Sequence, residues 1–247
     1  MPQKSLIQAK NLHYYYGNHH AVNNINITLY QGEVLGLLGK NGAGKSTTMQ
    51  LLTGNIVPSD GSIEINNISL LNQSIAAKYH IGYLPETPPL YKDMRVLEYL
   101  RYCALLHNIP KAELKDALDK VLQRCGLEAV QQRLIANLSK GYQQRVGIAQ
   151  AIIHQPVVII LDEPTVGLDP IQIQEIRALI KELAKNHSVM LSTHILQEVE
   201  AVCDRVHIIN QGETVFVDKL DVLKKYQSDN IKAGASLEDI FTALVSE

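Results

Sequence analysis

The chain has 247 residues, 46% of them hydrophobic, and a mean hydropathy of −0.04, so it can bury the core of one large domain or of two close subdomains. Its 23 basic and 25 acidic residues give a formal charge of −2, which argues against nucleic-acid partners and a polybasic membrane anchor. The three cysteines lack metal-site spacing and fit a reducing cytosol, and no window reaches the ~18 consecutive apolar residues of a membrane-spanning helix.

Strand patterns dominate the first third of the chain. Apolar runs bounded by turn residues predict strands in SLIQAKNLHYYY, INITLY, EVLGLL, SIEIN and HIGYLPE. One helix interrupts them in STTMQLLTG, and Gly54 ends it. Several short strands around one glycine-rich loop predict a mixed sheet with a small antiparallel part near the N-terminus.

From residue 95 to about 153 the pattern changes to helical periodicity, with breaks at Pro110 and Gly126. After this helical insert, strands and helices alternate: PVVIILDEP, a helix over 171–185, SVMLSTH, a short helix over 196–203, RVHIIN and ETVFV. The alternation predicts a parallel α/β core. From about residue 219 the sequence predicts a polar, partly helical tail.

The segment GKNGAGKS, residues 39–46, satisfies the phosphate-loop pattern G-x-x-x-x-G-K-[ST] between an apolar strand and a helix, the context that the motif requires. Backbone NH groups of such a loop converge on phosphate oxygens, and the helix N-terminus adds its dipole. Lys45 is then expected to reach the terminal phosphates, and the Ser46 hydroxyl to ligate Mg²⁺.

Acidic residues end the strand in VVIILDEP, where open α/β sheets place their ligands. Asp162 is expected to hold the metal, and Glu163 to accept a proton from the water that attacks the γ-phosphate. Such a pair without a phosphate loop is usually a solvated loop start. His194 closes the next strand and should lie near the phosphates, although a single histidine at a strand end is more often structural.

Seven motifs in order carry a resemblance: Tyr16, GKNGAGKST, YLPE, LSKGYQQR, VVIILDEP, GLDP and STH. Over residues 4 to about 217 the chain resembles the nucleotide-binding subunits of the ATP-binding cassette (ABC) transporters. GYLPETPPLY together with LSKGYQQR is most similar to ABC-2 type export subunits. A P-loop kinase would not explain LSKGYQQR followed by LDEP.

The resemblance implies an α/β fold: a P-loop NTPase (RecA-like) core with an antiparallel β subdomain and a helical insert at about 89–155. It implies an ABC-type ATP-binding domain over residues 1–218, followed by a C-terminal tail over 219–247. It also implies an ATPase that uses ATP and Mg²⁺.

The resemblance assigns residues to each role. It implies catalysis by Glu163, His194 and Lys45, and metal binding by Ser46, Asp162 and Glu86. Tyr16 would stack on adenine, although strand alternation alone places Tyr14 and Tyr16 on the same face. The implied ATP-binding residues are Tyr16, Gly39, Asn41, Gly42, Ala43, Gly44, Lys45, Ser46, Thr47, Ser139 and Gly141.

In such subunits the LSGGQ segment of one protomer caps the nucleotide of the other. Ser139 and the NH of Gly141 would therefore bind a partner's γ-phosphate, and Asp169 would couple the two sites across the dimer axis. Lys140 replaces a glycine of that segment. Its side chain either adds positive charge towards the nucleotide or the partner, or is simply a solvated side chain at a helix start. Glu86 stands where the family has a lid glutamine, unless it is an ordinary loop acid. Lys40 is expected to face solvent.

The partners implied are a transmembrane permease subunit, on which the helical insert docks, and a second nucleotide-binding subunit, with a homodimer favoured. No nucleic acid is expected. The location implied is cytoplasmic, peripheral on the inner face of the cell membrane. The alternative is a soluble ABC-type ATPase; repair and translation types would show heptad arms or two cassettes, whereas a cofactor-assembly type stays open.

Overall fold

The structure, a computed structural model, describes residues 3–226 and 236–246, and its centre is a six-stranded sheet with the order β10-β9-β3-β8-β7-β6. The pairs β3–β8, β3–β9, β7–β8 and β6–β7 are parallel, and β9–β10 is antiparallel. The strands are β3 (Val34–Leu38), β6 (Ile81–Leu84), β7 (Val158–Asp162), β8 (Ser188–Thr193), β9 (Arg205–Asn210) and β10 (Glu213–Lys219). The predicted mixed α/β fold is confirmed.

A four-stranded antiparallel sheet, ordered β2-β1-β4-β5, packs beside the central sheet. Its strands are β1 (Ser5–Tyr16), β2 (His19–Tyr30), β4 (Asp60–Ile65) and β5 (Ile68–Ser69). The β1–β2 hairpin closes where Tyr16 pairs with His19, and Gly17 adopts the positive φ of 58° that the tight turn needs. Tyr16 therefore lies at the tip of this hairpin.

The helices of the described residues are α1 (Lys45–Leu52), α2 (Ser74–Lys78), α3 (Val96–Leu106), α4 (Leu114–Cys125), α5 (Lys140–Ile152), α6 (Pro170–Ala184), α7 (Leu196–Val202), α8 (Leu220–Leu223) and α9 (Leu237–Leu244). Helices α3, α4 and α5 form the helical insert, with two short 3₁₀ turns before α5. None of the helices in the described residues combines the length and apolar character that a membrane crossing requires.

Two large apolar cores lie on opposite sides of the central sheet. One joins the helical insert and α6 to the sheet through residues such as Leu122, Ile148 and Ile159. The other joins α1 and the antiparallel sheet to the sheet through residues such as Ile27, Met49 and Ile160. The strands are covered on both faces, which explains why every residue of β3, β7 and β8 is buried instead of every second one.

The strand order decides where the polar loops meet. Strand β8 lies between β3 and β7 and is parallel to both, so the carboxyl ends of all three reach the same edge of the sheet. The loop after Leu38, the acid after Asp162 and the histidine after Thr193 therefore leave the sheet side by side.

The residues after β10 bury apolar surface although the sequence predicts a polar tail. Leu220 and Leu223 of α8 and Leu237, Ile240 and Leu244 of α9 pack in a third core with Leu38, Leu196, Val199, Val206 and Ile208. A capping box between Ser236 and Asp239 starts α9. The described part of the tail thus supports β3 and α7, the elements that lead into the phosphate loop and out of His194. The domain boundary at residue 218 stays a prediction.

Ile240→Ala tests this packing. The side chain is 1% exposed, so we expect the truncation to lower the free energy of unfolding by about 2–5 kcal/mol, as for other buried large-to-small changes. Urea denaturation measures the loss. Thr242→Ala, on the exposed face of the same helix, is the matched control and should change stability little. Equal stability of both variants would contradict the packing of α9 on the core.

Candidate active site

The phosphate loop joins β3 to α1 and owes its path to two glycines. A Cβ at Gly39 would lie 2.5 Å from the carbonyl oxygen of Ile209 on β9. Gly44 has φ of 100°, and a Cβ there would lie 2.6 Å from the carbonyl oxygen of Ala21. Side chains at either position would move the loop away from β9 or β2. Gly44 is also the N-cap of α1, so the helix starts directly at the loop.

Lys45 is held over the loop at only 5% exposure. Its ammonium group donates to the carbonyl oxygen of Gly39 at 2.9 Å and to that of Lys40 at 3.3 Å. The same nitrogen lies 3.4 Å from Oε1 of Glu163. The cation is therefore poised where the loop begins, and an entering phosphate competes with a carboxylate for it.

Glu163 is a buried carboxylate, 7% exposed, on a strained backbone. Its φ is 47°, a left-handed conformation that is uncommon for a residue with a side chain and costs on the order of 1–3 kcal/mol. Its backbone NH donates to the Ser192 hydroxyl at 3.0 Å, which holds this turn against β8. Nδ1 of His194 lies 3.0 Å from Oε2 and 3.1 Å from Oε1. A lysine and a histidine thus fix one carboxylate that can accept a proton from a bound water.

Asp162 lies one residue earlier, at the end of β7, and is 4% exposed. Burial raises the pKa of its carboxyl group, the hydrogen bond from Ser192 lowers it, and the charges of Glu163 and Glu86 raise it again. The Ser192 hydroxyl donates to Oδ1 at 2.5 Å, and the Ser46 hydroxyl also lowers the pKa of this carboxyl group. The three carboxylates of Asp162, Glu163 and Glu86 outnumber the single ammonium group of Lys45, so the site carries excess negative charge, and hard oxygen donors of this kind fit Mg²⁺.

These residues line a cleft of about 540 Å³. Of the residues predicted from the sequence, the structure brings ten to its wall: Tyr16, Asn41, Gly42, Gly44, Lys45, Ser46, Thr47, Glu86, Glu163 and His194. Gly39, Ala43 and Asp162 lie in the same loop and strand end but do not line the cleft. His19, Ala21 and Val166, which the sequence analysis did not single out, complete the wall.

Tyr16 is 49% exposed and stands edge-on to Tyr14, with ring centroids 4.9 Å apart.

Ser139, Gly141 and Asp169 are not among the residues of the cleft wall. Ser139 is exposed and caps α5, since its Oγ accepts from the NH of Tyr142 at 3.4 Å. Asp169 caps α6 by accepting from the NH groups of Ile171 and Gln172. In this single chain, the predicted capping and coupling residues therefore serve helix starts.

The starts of α5 and α6 touch each other. A Cβ at Gly141 would lie 2.7 Å from Cδ of Gln172, and a Cβ at Gly167 would collide with Nζ of Lys140. Lys140 therefore extends across the GLDP loop of its own chain, a contact that sequence spacing does not reveal.

Lys40 also makes a contact that the sequence did not predict. The residue is exposed, as expected, but its Nζ donates to the carbonyl oxygen of Val245 at 3.3 Å. The same oxygen accepts from Nδ2 of Asn210 at 3.3 Å. Lysine suits this position because Val245 caps the C-terminal, negative end of α9. The phosphate loop is thus linked to the last described helix.

The comparisons with known proteins agree with this geometry. The family model for ABC transporters matches residues 22–166, which is more than half of the chain. The chain belongs to the ABC transporter family. It is an ATP-binding subunit of such a transporter, and it hydrolyses ATP.

Relatives within this family are substantially similar. The bacitracin transport ATP-binding protein BcrA of Bacillus licheniformis is 40% identical over 223 residues, covering 90% of this chain and 72% of BcrA. The linearmycin resistance ATP-binding protein LnrL of Bacillus subtilis is 34% identical over 228 residues, covering 92% of this chain and 73% of LnrL.

Solved structures of the family share the fold. A structure of an ATP-binding subunit of an ABC transporter has a TM-score of 0.85 and 32% identity, covering 97% of this chain and 99% of that one. The ATP-binding cassette MJ0796, a dimer in a post-hydrolysis state with ADP and Pi, has a TM-score of 0.77 and 25% identity, covering 87% of this chain and 98% of that one.

The crowding of carboxylates predicts a stability effect of Asp162→Asn. Asparagine still accepts the hydrogen bond from Ser192 but carries no charge. It therefore avoids the cost of burying a charge and the repulsion from Glu163 and Glu86, the two effects that raise the pKa of Asp162. We expect the metal-free, nucleotide-free chain to melt higher, by about 2–4 °C for each kcal/mol of cost removed. Scanning calorimetry in EDTA measures this. Asp93→Asn, at an exposed position, is the control, and a lower melting temperature for Asp162→Asn would contradict the charge argument.

Proposed function

We propose that two copies of this subunit close on two molecules of ATP and that closure powers an exporter of the ABC-2 type through a separate membrane subunit. One observation carries the dimer: the polar start of α5, with Ser139 exposed, lies outside the cleft where Lys45, Glu163 and His194 meet. A helix start that binds no phosphate in its own chain is available to a phosphate held by another. The dimeric state of the MJ0796 cassette supports this proposal.

In the proposed reaction, Lys45 leaves the Glu163 carboxylate and binds the terminal phosphates of ATP. Glu163, still held by His194, then accepts the proton of the attacking water. The second ring nitrogen of His194 remains for the γ-phosphate, because Nδ1 is occupied by Glu163. Ser46, Asp162 and Glu86 would hold Mg²⁺, which when bound neutralises phosphate charge. Tyr16, at the hairpin tip, would stack on adenine.

Dimer closure follows from the same charges. Ser139 and the NH of Gly141 of one subunit would donate to the γ-phosphate held by the partner subunit, and the positive end of α5 favours that anion. Asp169, next to this contact, would couple the two sites. ADP lacks the γ-phosphate, so hydrolysis removes the cross-link and the dimer opens.

A second groove, of about 450 Å³, supports docking on a membrane subunit. Four of the residues that line it are Pro85 and Pro89, in the segment between β6 and α3 (residues 85–95, here called the lid), His107 at the end of α3 and His154 after α5. The His107 and His154 rings stack 3.8 Å apart and join the insert to the core. Exposed apolar side chains lie on the neighbouring helix α3: Tyr102 at 38%, Leu105 at 47% and Leu106 at 62% exposure. This surface suits an apolar segment of a membrane protein.

The lid offers a direct route from this groove to the nucleotide. Pro85 lines the groove and Glu86, the next residue, lines the ATP cleft. A partner that moves in the groove therefore displaces a carboxylate beside the site of hydrolysis. Glu86 in place of the family's glutamine would make this step depend on Mg²⁺, since a metal ion turns its repulsion from phosphate into attraction.

Export, rather than uptake, is supported by relatives whose names state bacitracin transport and linearmycin resistance. The chain would work at the inner face of the cell membrane, bound to its permease. The rival proposal is a soluble ABC-type ATPase of cofactor assembly, for which the groove would have no membrane partner.

Glu163→Gln tests the site and the dimer together. We expect ATP turnover to fall by roughly 10²- to 10⁴-fold while ATP still binds, because only the proton acceptor is lost. With hydrolysis blocked, the variant should elute as an ATP-bound dimer in size-exclusion chromatography. Glu182→Gln, an exposed acid on α6, is the matched control. Normal turnover of Glu163→Gln would remove this residue from the role.

Adding Ser139→Arg to Glu163→Gln separates contacts within one chain from contacts between chains. The double variant should remain a monomer with ATP, because the arginine blocks the partner's phosphate, yet bind Mg-ATP with the affinity of the single variant. If Ser139→Arg weakened ATP binding by the monomer as strongly as Lys45→Ala does, α5 would act on its own nucleotide and the proposed dimer would fail.

Leu106→Glu tests the exposed apolar surface of α3 beside the groove. If the neighbouring reading frame encodes a polytopic membrane protein, the two proteins are expressed together, and we expect Leu106→Glu to abolish co-purification and to leave the ATPase rate of the isolated chain unchanged. Val217→Glu, a similarly exposed apolar position on β10, is the control and should still co-purify. Failure of the unaltered chain to bind that membrane protein would favour the soluble rival.

A further inference from the structure

A buried carboxylate outside the ATP cleft links the two loops that carry Glu163 and His194. Glu198, in the first turn of α7, is 2% exposed. Its Oε2 accepts from the hydroxyl of Thr193 at 2.7 Å, and its Oε1 accepts from the hydroxyl of Thr165. Thr193 and Thr165 are themselves 0% and 3% exposed. The three side chains form a buried polar contact, here called the Glu198 bridge.

The positions of the two threonines in the chain give this bridge its interest. Thr165 lies two residues after Glu163, and Thr193 directly precedes His194. The Thr193 hydroxyl also accepts from the NH of Ile195 at 3.0 Å, so it fixes the backbone on both sides of His194. Each loop is therefore tied to one oxygen of the same carboxylate.

Burial of the Glu198 carboxylate is costly unless both threonine hydroxyls, of Thr165 and Thr193, donate to it. A buried carboxylate is strongly unfavourable unless it is paired or hydrogen-bonded, and none of the described ion pairs includes Glu198. Removal of either hydroxyl leaves one carboxylate oxygen without its buried donor. The bridge is therefore most stable when the loops after β7 and β8 keep one fixed separation.

That separation sets the catalytic contact. Glu163 directly follows β7 and His194 directly follows β8, and Nδ1 of His194 lies 3.0 Å from Oε2 of Glu163. The Ser192 hydroxyl ties the backbone of Glu163 to β8 on the near side, and the Glu198 bridge ties the continuing loops together on the far side. Two polar links thus bracket the contact between the carboxylate and the imidazole.

We propose that Glu198 is a positioning residue for ATP hydrolysis: through Thr165 and Thr193 it holds His194 in register with Glu163. Glu198 is not among the residues that line the ATP cleft. The proposal rests on the proposed roles of Glu163 and His194. The simpler alternative is that Glu198 only stabilises the start of α7, in which case its loss would lower stability without changing the rate per folded molecule.

The experiment uses the full chain and removes one hydroxyl at a time. Thr165→Val and Thr193→Val keep the shape and burial of the side chain but lose the hydroxyl that donates to Glu198. Thr165→Ser and Thr193→Ser keep that hydroxyl. Because small misplacements of catalytic groups are costly, we expect each valine variant to lose about 10- to 100-fold in kcat, with KM for Mg-ATP unchanged, and each serine variant to recover most of the rate. Glu198→Gln, which keeps one acceptor, should give an intermediate loss.

The matched control is Thr53→Val, which removes another buried hydroxyl, one that donates to the carbonyl oxygen of Met49 at 2.9 Å. Its kcat should equal that of the unaltered chain. Calorimetry on every variant separates loss of stability from loss of rate, since all rates are measured well below the melting temperatures.

A double-mutant cycle with His194→Ala then tests the route of action. If the bridge acts through His194, Thr193→Val combined with His194→Ala loses no more rate than His194→Ala alone. Fully additive losses, or valine variants that are less stable but turn over normally, would overturn the proposal. If His194→Ala and Glu163→Gln themselves keep full activity, the proposed active site fails instead, so the two failures are distinguishable.

Discussion

The structure depends on one constraint, the pairing of β8 between β3 and β7 with all three strands parallel. This pairing brings the phosphate loop, Glu163 and His194 to the same edge although about 150 residues separate the first from the last. Ser192 of β8 reinforces it by donating to Asp162 and accepting from the NH of Glu163. A shift in this pairing would separate the lysine, the acid and the histidine at once.

The site concentrates opposing charges on side chains that are largely buried. Lys45 and Glu163 are both less than a tenth exposed, and Asp162 beside them has a raised pKa because of its burial. Such an arrangement costs stability in the free chain, and an entering phosphate has to compete with Glu163 for the lysine. The left-handed backbone conformation of Glu163 adds strain. The hydrogen bond from its NH group to Ser192 of β8 holds the residue in this conformation.

The elements around the site connect it to more distant surfaces. The lid that carries Glu86 is also a wall of the groove beside α3, and the third core brings α9 against β3 and α7. Lys40 extends the link by donating from the phosphate loop to the end of α9.

The sequence by itself determined the family, the parallel core and the identity of the phosphate loop, because these rest on short motifs and on local periodicity. The signals for Asp162, Glu163 and His194 were equally local, since each ends an apolar strand. Only the tertiary structure decided which strands are neighbours, how Lys140 lies over Gly167, that Lys40 binds Val245, and that Glu198 joins Thr165 to Thr193. Those contacts join residues up to 205 positions apart, and no local pattern encodes a pairing between side chains that meet only after the sheet has formed.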